Sequence, residues 1–237
     1  LGSASIAWKG TYSFNFSGSN IAAEKLTLLE GSKIPFSGVI DFKADGSGTF
    51  ERPQYKVHAT IRDLFVADEG IGTVVSDFNV DGDRLTFTGI NAISPRLAVF
   101  GSGTIALNDT YDTDLRFQVT RSSLDPYIRA FEPRLSPYTT AIVSGSLRVQ
   151  GELSNIDNVL VDATVDEFDA SLFDFQIRNK TDPKTPERRV PIRLALDRHA
   201  VRVLDMQLEG QDTNLTVSGS VDLHNETIAM RMNGGAN

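Results

Sequence analysis

Apolar and polar residues alternate with a period of two along most of this 237-residue chain. Turns rich in Asp, Gly and Asn separate the alternating segments, as at Asp45-Gly46 and Asp81-Gly82. This alternation is typical of half-buried strands, because successive side chains of a strand point to opposite faces. Long helices do not alternate with the strands, which excludes an α/β fold. We therefore predict an all-β chain of about sixteen to eighteen short, mainly antiparallel strands.

The alternating segments recur at long offsets, which indicates an internal repeat. Ala59 matches Ala163, 104 positions later, whereas Gly103 matches Gly219, 116 positions later. The difference corresponds to an insertion predicted to be a polar loop at about 179–189. Two stacked repeats that share one elongated, curled sheet would explain this pattern. The predicted parts are N-terminal strands continuing the sheet at 1–20, β repeat 1 at 21–120 and β repeat 2 at 121–237.

One or two short helices are expected to interrupt the strands. The first lies at about 125–132, where Ser123 can cap it, Pro126 fits its first turn and Pro133 ends it. A second helical pattern covers residues 21–30.

Composition excludes several functional classes. The chain has no Cys, which rules out a disulfide scaffold, a thiolate metal site and a cysteine nucleophile. A formal net charge of −8 argues against nucleic-acid binding. The single basic cluster, Lys184 to Arg193, is interrupted by Pro186, Glu187 and Pro191.

The sequence predicts neither a membrane-spanning segment nor a signal peptide within this chain. No stretch approaches the roughly 18 consecutive apolar residues that cross a bilayer. The first ten residues lack the basic start and apolar block of an export signal. Because the chain begins at Leu1 and ends in a polar, Gly-rich stretch, we interpret it as a piece of a longer protein.

Asp77, Asn79, Asp81 and Gly82 fit the opening of a calcium-binding loop. Position 12 of that loop would be Thr88, so the bidentate carboxylate is missing. A β-hairpin turning at Asp81-Gly82 explains the same residues. We therefore expect a hairpin here and no metal site.

Other polar residues do not form a recognisable catalytic set. The three histidines, His58, His199 and His224, lack a metal-ligand spacing. A cluster of carboxylates could supply a glycosidase pair, but acidic residues on a solvent-facing strand surface are the simpler interpretation. The cluster consists of Asp162, Asp166, Glu167, Asp169 and Asp174. No catalytic residue, metal or cofactor is predicted, and the chain is not expected to be an enzyme.

The order of strand ends and glycines resembles a known family. The second repeat reads Gly145-Ser-Leu-Arg-Val-Gln-Gly151, Val161 to Phe168, Pro191-Ile-Arg-Leu-Ala-Leu196 and Leu208-Glu-Gly-Gln-Asp-Thr-Asn-Leu215-Thr-Val-Ser-Gly219-Ser-Val-Asp-Leu223. The first repeat has looser counterparts in Phe36-Ser-Gly-Val-Ile-Asp-Phe42, Gly48-Thr-Phe-Glu-Arg-Pro53 and Gly101-Ser-Gly-Thr-Ile-Ala-Leu107. This order resembles the repeats of the TamB/AsmA-like family of Gram-negative envelope proteins. The charged segment near Lys184 and the sequence Asn155-Ile156-Asp157 depart from the family pattern.

The resemblance implies a β-taco, a long sheet folded lengthwise around an apolar groove. It implies a periplasmic segment of a parent protein that is anchored in the inner membrane by a part absent here. The groove would shield phospholipid acyl chains, or nascent outer-membrane protein strands, during transport between the inner and outer membranes. Expected partners are phospholipids, adjacent repeats of the parent chain and an outer-membrane barrel of the TamA type, as in the translocation and assembly module.

The expected groove lining comes from the apolar phase of each strand. It consists of Val57, Ile61, Phe78, Val80, Leu85, Phe87, Leu115, Phe117, Val161, Val165, Leu194, Leu196, Val201 and Val203. Alternation also allows a different protein, an extracellular β-sandwich binding or adhesion module, because a closed core likewise makes one strand face apolar. A carbohydrate-active enzyme would instead need two inward carboxylates roughly 5 to 9.5 Å apart.

Overall fold

Most of the described residues lie in antiparallel β-strands. The computed structural model describes residues 1–8, 10–25, 36–66, 69–125, 139–173, 175–222 and 224–236. Within these ranges, fifteen strands belong to one antiparallel sheet and two more form a separate hairpin. Neighbouring strands of the sheet mostly follow one another in sequence. The predicted all-β, antiparallel fold is confirmed.

The chain divides into two compact units, Leu1–Leu115 and Arg116–Asn237. The strands of the first unit are β1 (Gly2–Ile6), β2 (Thr11–Ala22), β3 (Phe36–Thr49), β4 (Pro53–Val66), β5 (Glu69–Asp81), β6 (Arg84–Ile93) and β7 (Ala98–Ala106). The boundary falls within β8 (Asp112–Ser123). The second unit continues with β9 (Thr139–Glu152), β10 (Val159–Leu172), β11 (Phe175–Asn179), β12 (Thr181–Asp182), β13 (Thr185–Arg189), β14 (Ile192–Asp197), β15 (Ala200–Gly210), β16 (Thr213–Asp222) and β17 (Thr227–Ala236).

Short 3₁₀ turns occur at Ala23–Lys25 and Ile156–Asn158. The helical pattern at residues 21–30 is wrong at its start, because Ile21 and Ala22 pair with β3 as the last residues of β2. Residues 26–30 lie outside the described residues, as does the helix expected at about 125–132 apart from Asp125.

The first unit is a meander in which each strand pairs with the next, from β1 to β7. The hairpin between β5 and β6 turns at Gly82 and Asp83, with Asp81 opposite Arg84 and a φ of +63° at Gly82. This is the hairpin that the Asp81-Gly82 pattern predicts, since a Gly with positive φ matches the twist of the flanking strands.

In the second unit, β10 has two partners along one side. Its first half pairs with β14, and its end pairs with β11. Strands β11 and β14 both pair in turn with β15. Together they occupy the position in the sheet that β5 alone occupies in the first unit. The hairpin of β12 and β13 lies between them in sequence, within the segment predicted as a polar loop.

Both units contain the same irregularity 116 positions apart. Phe87 pairs with Gly103 before a register shift between β6 and β7, and Val203 pairs with Gly219 before a shift between β15 and β16. Both glycines have positive φ, +152° and +139°. The sequence match between Gly103 and Gly219 therefore marks a shared bulge in the sheet.

Few apolar side chains are fully buried. Among the described residues they are Ala23, Val80, Ala92, Ala141, Val159, Ile192, Leu208 and Val217. Most apolar side chains therefore lie half-buried on a sheet face.

Candidate functional site

The first unit places rows of apolar side chains on one sheet face. Directly paired residues of neighbouring strands point to the same side, so the register defines rows across the strands. One row contains Phe16, Ala44, Val57, Phe78, Phe87 and Gly103, and the next contains Phe14, Gly46, Tyr55, Val80, Leu85 and Ile105. A third row contains Ile21, Ile40, Ile61, Val74, Ala92 and Val99. We call this surface the unit 1 apolar face.

Aromatic rings cover part of the unit 1 apolar face. The ring centroids of Tyr12 and Phe14 lie 6.0 Å apart, and those of Phe14 and Phe16 lie 5.4 Å apart. Gly46 leaves the space that these rings need, since a Cβ there would lie 2.8 Å from Phe14 Cε1 and 2.6 Å from Tyr55 Cβ. Large rings packed over glycine keep this part of the face continuous.

The second unit has a corresponding surface, the unit 2 apolar face. One row contains Leu147, Ala163, Leu194, Val203, Gly219 and Met230. The next contains Val149, Val161, Leu196, Val201, Val221 and Ile228. Val165, opposite Gly145 and Ile192, lies on the same face. Exposure rises toward the last strand, where Ile228 is 72% exposed.

Twelve of the fourteen predicted lining residues lie on these two faces. Val57, Ile61, Phe78, Val80, Leu85 and Phe87 belong to the unit 1 apolar face, and Val161, Val165, Leu194, Leu196, Val201 and Val203 to the unit 2 apolar face. Leu115 packs beside Gly103. A Cβ added at Gly103 would lie 2.9 Å from the Cδ2 atom of Leu115. Phe117 follows two positions later in β8. All of these residues are half-buried except Val80, which is buried.

Sequence reasoning missed the aromatic residues of β2 and the apolar residues of β3. Tyr12, Phe14 and Phe16 alternate with Ser13 and Asn15, which is the same signal that identified the later strands. The predicted groove lining included no residue before β4. Applying the rule of alternation from the first strand would have found them.

The opposite face of the first unit is polar and carries paired charges. Arg52 Nε donates to Asp81 Oδ1 at 3.0 Å, and Gln54 Nε2 donates to the same oxygen at 3.0 Å. These hydrogen bonds, with that of Arg52 first, hold the pKa of Asp81 below its usual value. His58 Nδ1 lies 2.6 Å from Asp77 Oδ1 on the neighbouring strand. Two concavities of this unit lie on this polar face, near Lys43 and His58.

The polar face of the second unit also has a concavity, between β10, β11 and β15. Its lining includes Asp169, Arg178, Glu209 and Asn214, with Ile142 among them. Arg178 Nε donates to Glu209 Oε1 at 2.9 Å. Burial favours a higher pKa for Glu209, but hydrogen bonds from Thr181 and Arg178 outweigh it and lower the pKa. Ion pairs occupy this concavity, so its chemistry suits polar ligands rather than acyl chains.

Four of the carboxylates considered for calcium and for glycoside hydrolysis are engaged in other contacts. Asp77 and Asp81 face His58 and Arg52, as described above. Asp169 forms an ion pair with Arg189 at 2.9 Å, and Glu167 accepts a hydrogen bond from Ser144. Asp174 lies outside the described residues.

Two of the three histidines lie close together, and one of these two pairs with a carboxylate. His199 Nε2 lies 3.1 Å from Asp157 Oδ1, and the rings of His199 and His224 lie 5.2 Å apart. Within the described part of the chain, no three His, Asp or Glu side chains are placed to hold a metal ion.

No helix in the described ranges has the length and apolar character needed to span a membrane. No protein-family model, curated protein or solved structure matches the chain.

Proposed function

We propose that the chain is a non-catalytic periplasmic segment of a TamB/AsmA-like protein. Its apolar faces shield phospholipid acyl chains, or nascent outer-membrane protein strands, during passage between the inner and outer membranes. The parent protein is anchored in the inner membrane, and its adjacent repeats continue the sheet. An outer-membrane barrel of the TamA type is the proposed protein partner.

One observation carries this proposal: large apolar side chains share a sheet face that is only half-buried. Phe78, Phe87, Leu194 and Leu196 belong to such faces and are not enclosed in a core. Covering apolar surface gains about 25 cal/mol per Å². A face of this kind therefore gains free energy when an apolar ligand covers it.

Acyl chains fit these faces better than polar ligands do. Each methylene removed from water contributes about 0.8 kcal/mol, and binding of this type requires no directional contact. The rows of Phe, Val, Leu and Ile offer such a surface without charged groups. A phospholipid can lay its chains on the face while its headgroup stays in water.

The burial pattern disfavours the alternative, an extracellular β-sandwich binding or adhesion module. A sandwich encloses the inner faces of two sheets in a core about 10 Å thick. Six of the eight buried apolar residues in the described ranges are Ala or Val, namely Ala23, Val80, Ala92, Ala141, Val159 and Val217. Phe16, on the unit 1 apolar face, is 42% exposed.

The test measures binding of a phospholipid with a fluorescent acyl chain to the purified chain. Phe87→Arg places a charge on the unit 1 apolar face, and Leu194→Arg places one on the unit 2 apolar face. Because burying a charge is costly, the variant with both changes should bind the lipid at least about tenfold more weakly. The control is the double variant Thr86→Arg and Ser146→Arg. Each of these two residues is next in sequence to a residue of an apolar face, so its own side chain points to the opposite, polar face.

Binding that the control retains and the apolar-face variant loses would support the proposal. Thermal unfolding monitored by circular dichroism establishes that each variant is folded. Equal binding by the folded apolar-face variant and the unsubstituted chain would contradict the proposal.

A further inference from the structure

The hairpin formed by β12 and β13 is an addition that the sheet does not require. In the first unit, β5 runs without interruption beside β4. In the second unit, the same place is divided between β11 and β14, and residues 180–191 leave the sheet between them. A feature present in one repeat only, and not needed for sheet pairing, calls for a separate explanation.

The base of this hairpin is firmly attached to the second unit. Asn179 is fully buried; its Oδ1 accepts from the Phe168 N–H at 3.0 Å, and its Nδ2 donates to the Asp166 and Val190 carbonyls. The backbone N–H of Val190 donates to the Lys180 carbonyl at 2.7 Å, which closes the base. The hairpin therefore presents its tip in a defined place.

The hairpin region has a charge opposite to that of the whole chain. Residues 180–189 contain four Lys and Arg and two acidic residues, a net charge of +2 in a chain of −8. Arg178 and Arg189 are paired with Glu209 and Asp169.

The tip itself leaves its cations available. Asp182 accepts from the Lys184 backbone N–H at 2.9 Å and from Thr185 Oγ1 at 2.8 Å, so its carboxylate stabilises the turn. The side chains of Lys184 and Arg188 are exposed and form no ion pair with other described residues.

We propose that this basic hairpin, residues 180–189, binds the anionic headgroup surface of a phospholipid membrane. Cations near an anionic bilayer each strengthen binding by about fivefold. At physiological salt, charges more than about 8 Å away are largely screened, so the acidic remainder of the chain does not cancel the attraction. The hairpin would bring the lipid-handling segment close to its source or destination of lipid.

A membrane fits the tip better than a protein partner does. Residues 183–188 read Pro-Lys-Thr-Pro-Glu-Arg, all exposed, with no aromatic or large apolar side chain. Protein interfaces usually depend on such anchors, whereas headgroups require only exposed cations. This choice rests on the proposed function, which makes lipid the molecule that the chain handles.

The experiment is co-sedimentation of the purified chain with vesicles of phosphatidylcholine alone or mixed with phosphatidylglycerol. The unsubstituted chain should prefer the anionic vesicles, and Lys184→Gln with Arg188→Gln should reduce that binding by roughly 25-fold. The charge-matched control, Lys43→Gln with Lys56→Gln, alters two exposed cations of the first unit and should retain binding.

Three outcomes would overturn the inference: no preference for anionic vesicles, equal losses in both variants, or tighter binding to a polyglutamate peptide than to the vesicles. The last would assign the tip to an acidic protein. Uptake of the fluorescent lipid by the same variants separates this inference from the proposed function. Hairpin variants should lose vesicle binding and keep uptake, and apolar-face variants should do the reverse.

Discussion

Phe78 on β5 and Phe87 on β6 lie directly opposite each other, with ring centroids 5.6 Å apart and an angle of 54° between the ring planes. A register shift next to this pair leaves Thr88 unpaired and holds both rings on the unit 1 apolar face. Tilted aromatic pairs at this separation attract each other beyond the area that they bury. The pair thus stabilises the hairpin and provides apolar surface at the same time.

This contact should be measurable as a coupling free energy. In a double-mutant cycle with Phe78→Ala and Phe87→Ala, the expected coupling is about 0.5 to 1.5 kcal/mol by urea unfolding. The reference cycle joins Phe78→Ala to Tyr12→Ala, three strands away, and should be additive within about 0.5 kcal/mol. Additivity of the first cycle would show that the rings do not interact as described.

Asn179 should be among the most sensitive polar residues of the second unit. Asn179→Ala leaves the Phe168 N–H and two carbonyl groups without their buried partner, and we expect a loss of about 2 to 3 kcal/mol in the free energy of unfolding. Asn15→Ala, at an exposed position of β2, should change it by less than about 0.5 kcal/mol. Similar losses for both variants, measured by urea unfolding, would contradict the proposed anchoring of the hairpin.

The equivalent glycines Gly103 and Gly219 should both resist substitution. A Cβ at Gly103 would lie 2.7 Å from the Leu115 Cα, and one at Gly219 would lie 2.8 Å from the Met230 Cα, in addition to the cost of a positive φ. We expect Gly→Ala at either position to lower stability by about 1 to 3 kcal/mol. Gly235→Ala, where nothing lies within 4 Å, serves as the control and should be nearly neutral. A neutral Gly219→Ala would contradict the described bulge.

Glu209 should contribute to a pH-dependent part of the stability. Its pKa in the folded chain is below the ordinary value of 4.5, since hydrogen bonds from Thr181 and Arg178 outweigh the effect of burial. The stabilisation is therefore present above pH 4.5 and is lost as the pH falls through the lower, folded-state pKa. Glu209→Gln should cost about 1 kcal/mol at neutral pH and progressively less in acid. The measurement is urea unfolding of both proteins across this pH range. If the stability lost by Glu209→Gln does not change with pH, the ionised carboxylate does not stabilise the folded chain as described.

Alternation was sufficient to predict the strands and the apolar phase of Val57, Phe87 and Leu194, because a half-buried sheet imposes a period of two. The matched glycines also predicted a repeat, and the structure relates them to a shared bulge. Alternation could not predict the hairpin at residues 181–189. Its short strands are polar and interrupted by Pro. Its attachment depends on Asn179, a buried polar residue at a position where the alternation predicts an apolar side chain.

Sequence also could not predict the burial of each face. An enclosed core and an open apolar surface need the same pattern along a strand, and only the exposure of residues such as Phe16 distinguishes them. The polar concavities near Glu209 and His58 were missed for a related reason. They depend on side chains from several strands, which no single stretch of sequence brings together.

Site-specific photocrosslinking in cells tests the central claim most directly. A photoreactive amino acid is placed at Phe87 or Leu194 on the apolar faces, and at Thr86 or Ser146 on the polar faces. Mass spectrometry then identifies adducts on the folded chain. We predict phospholipid adducts at Phe87 and Leu194 and none at Thr86 and Ser146. Absence of lipid at both apolar positions, or equal labelling of the two faces, would contradict a lipid-shielding function.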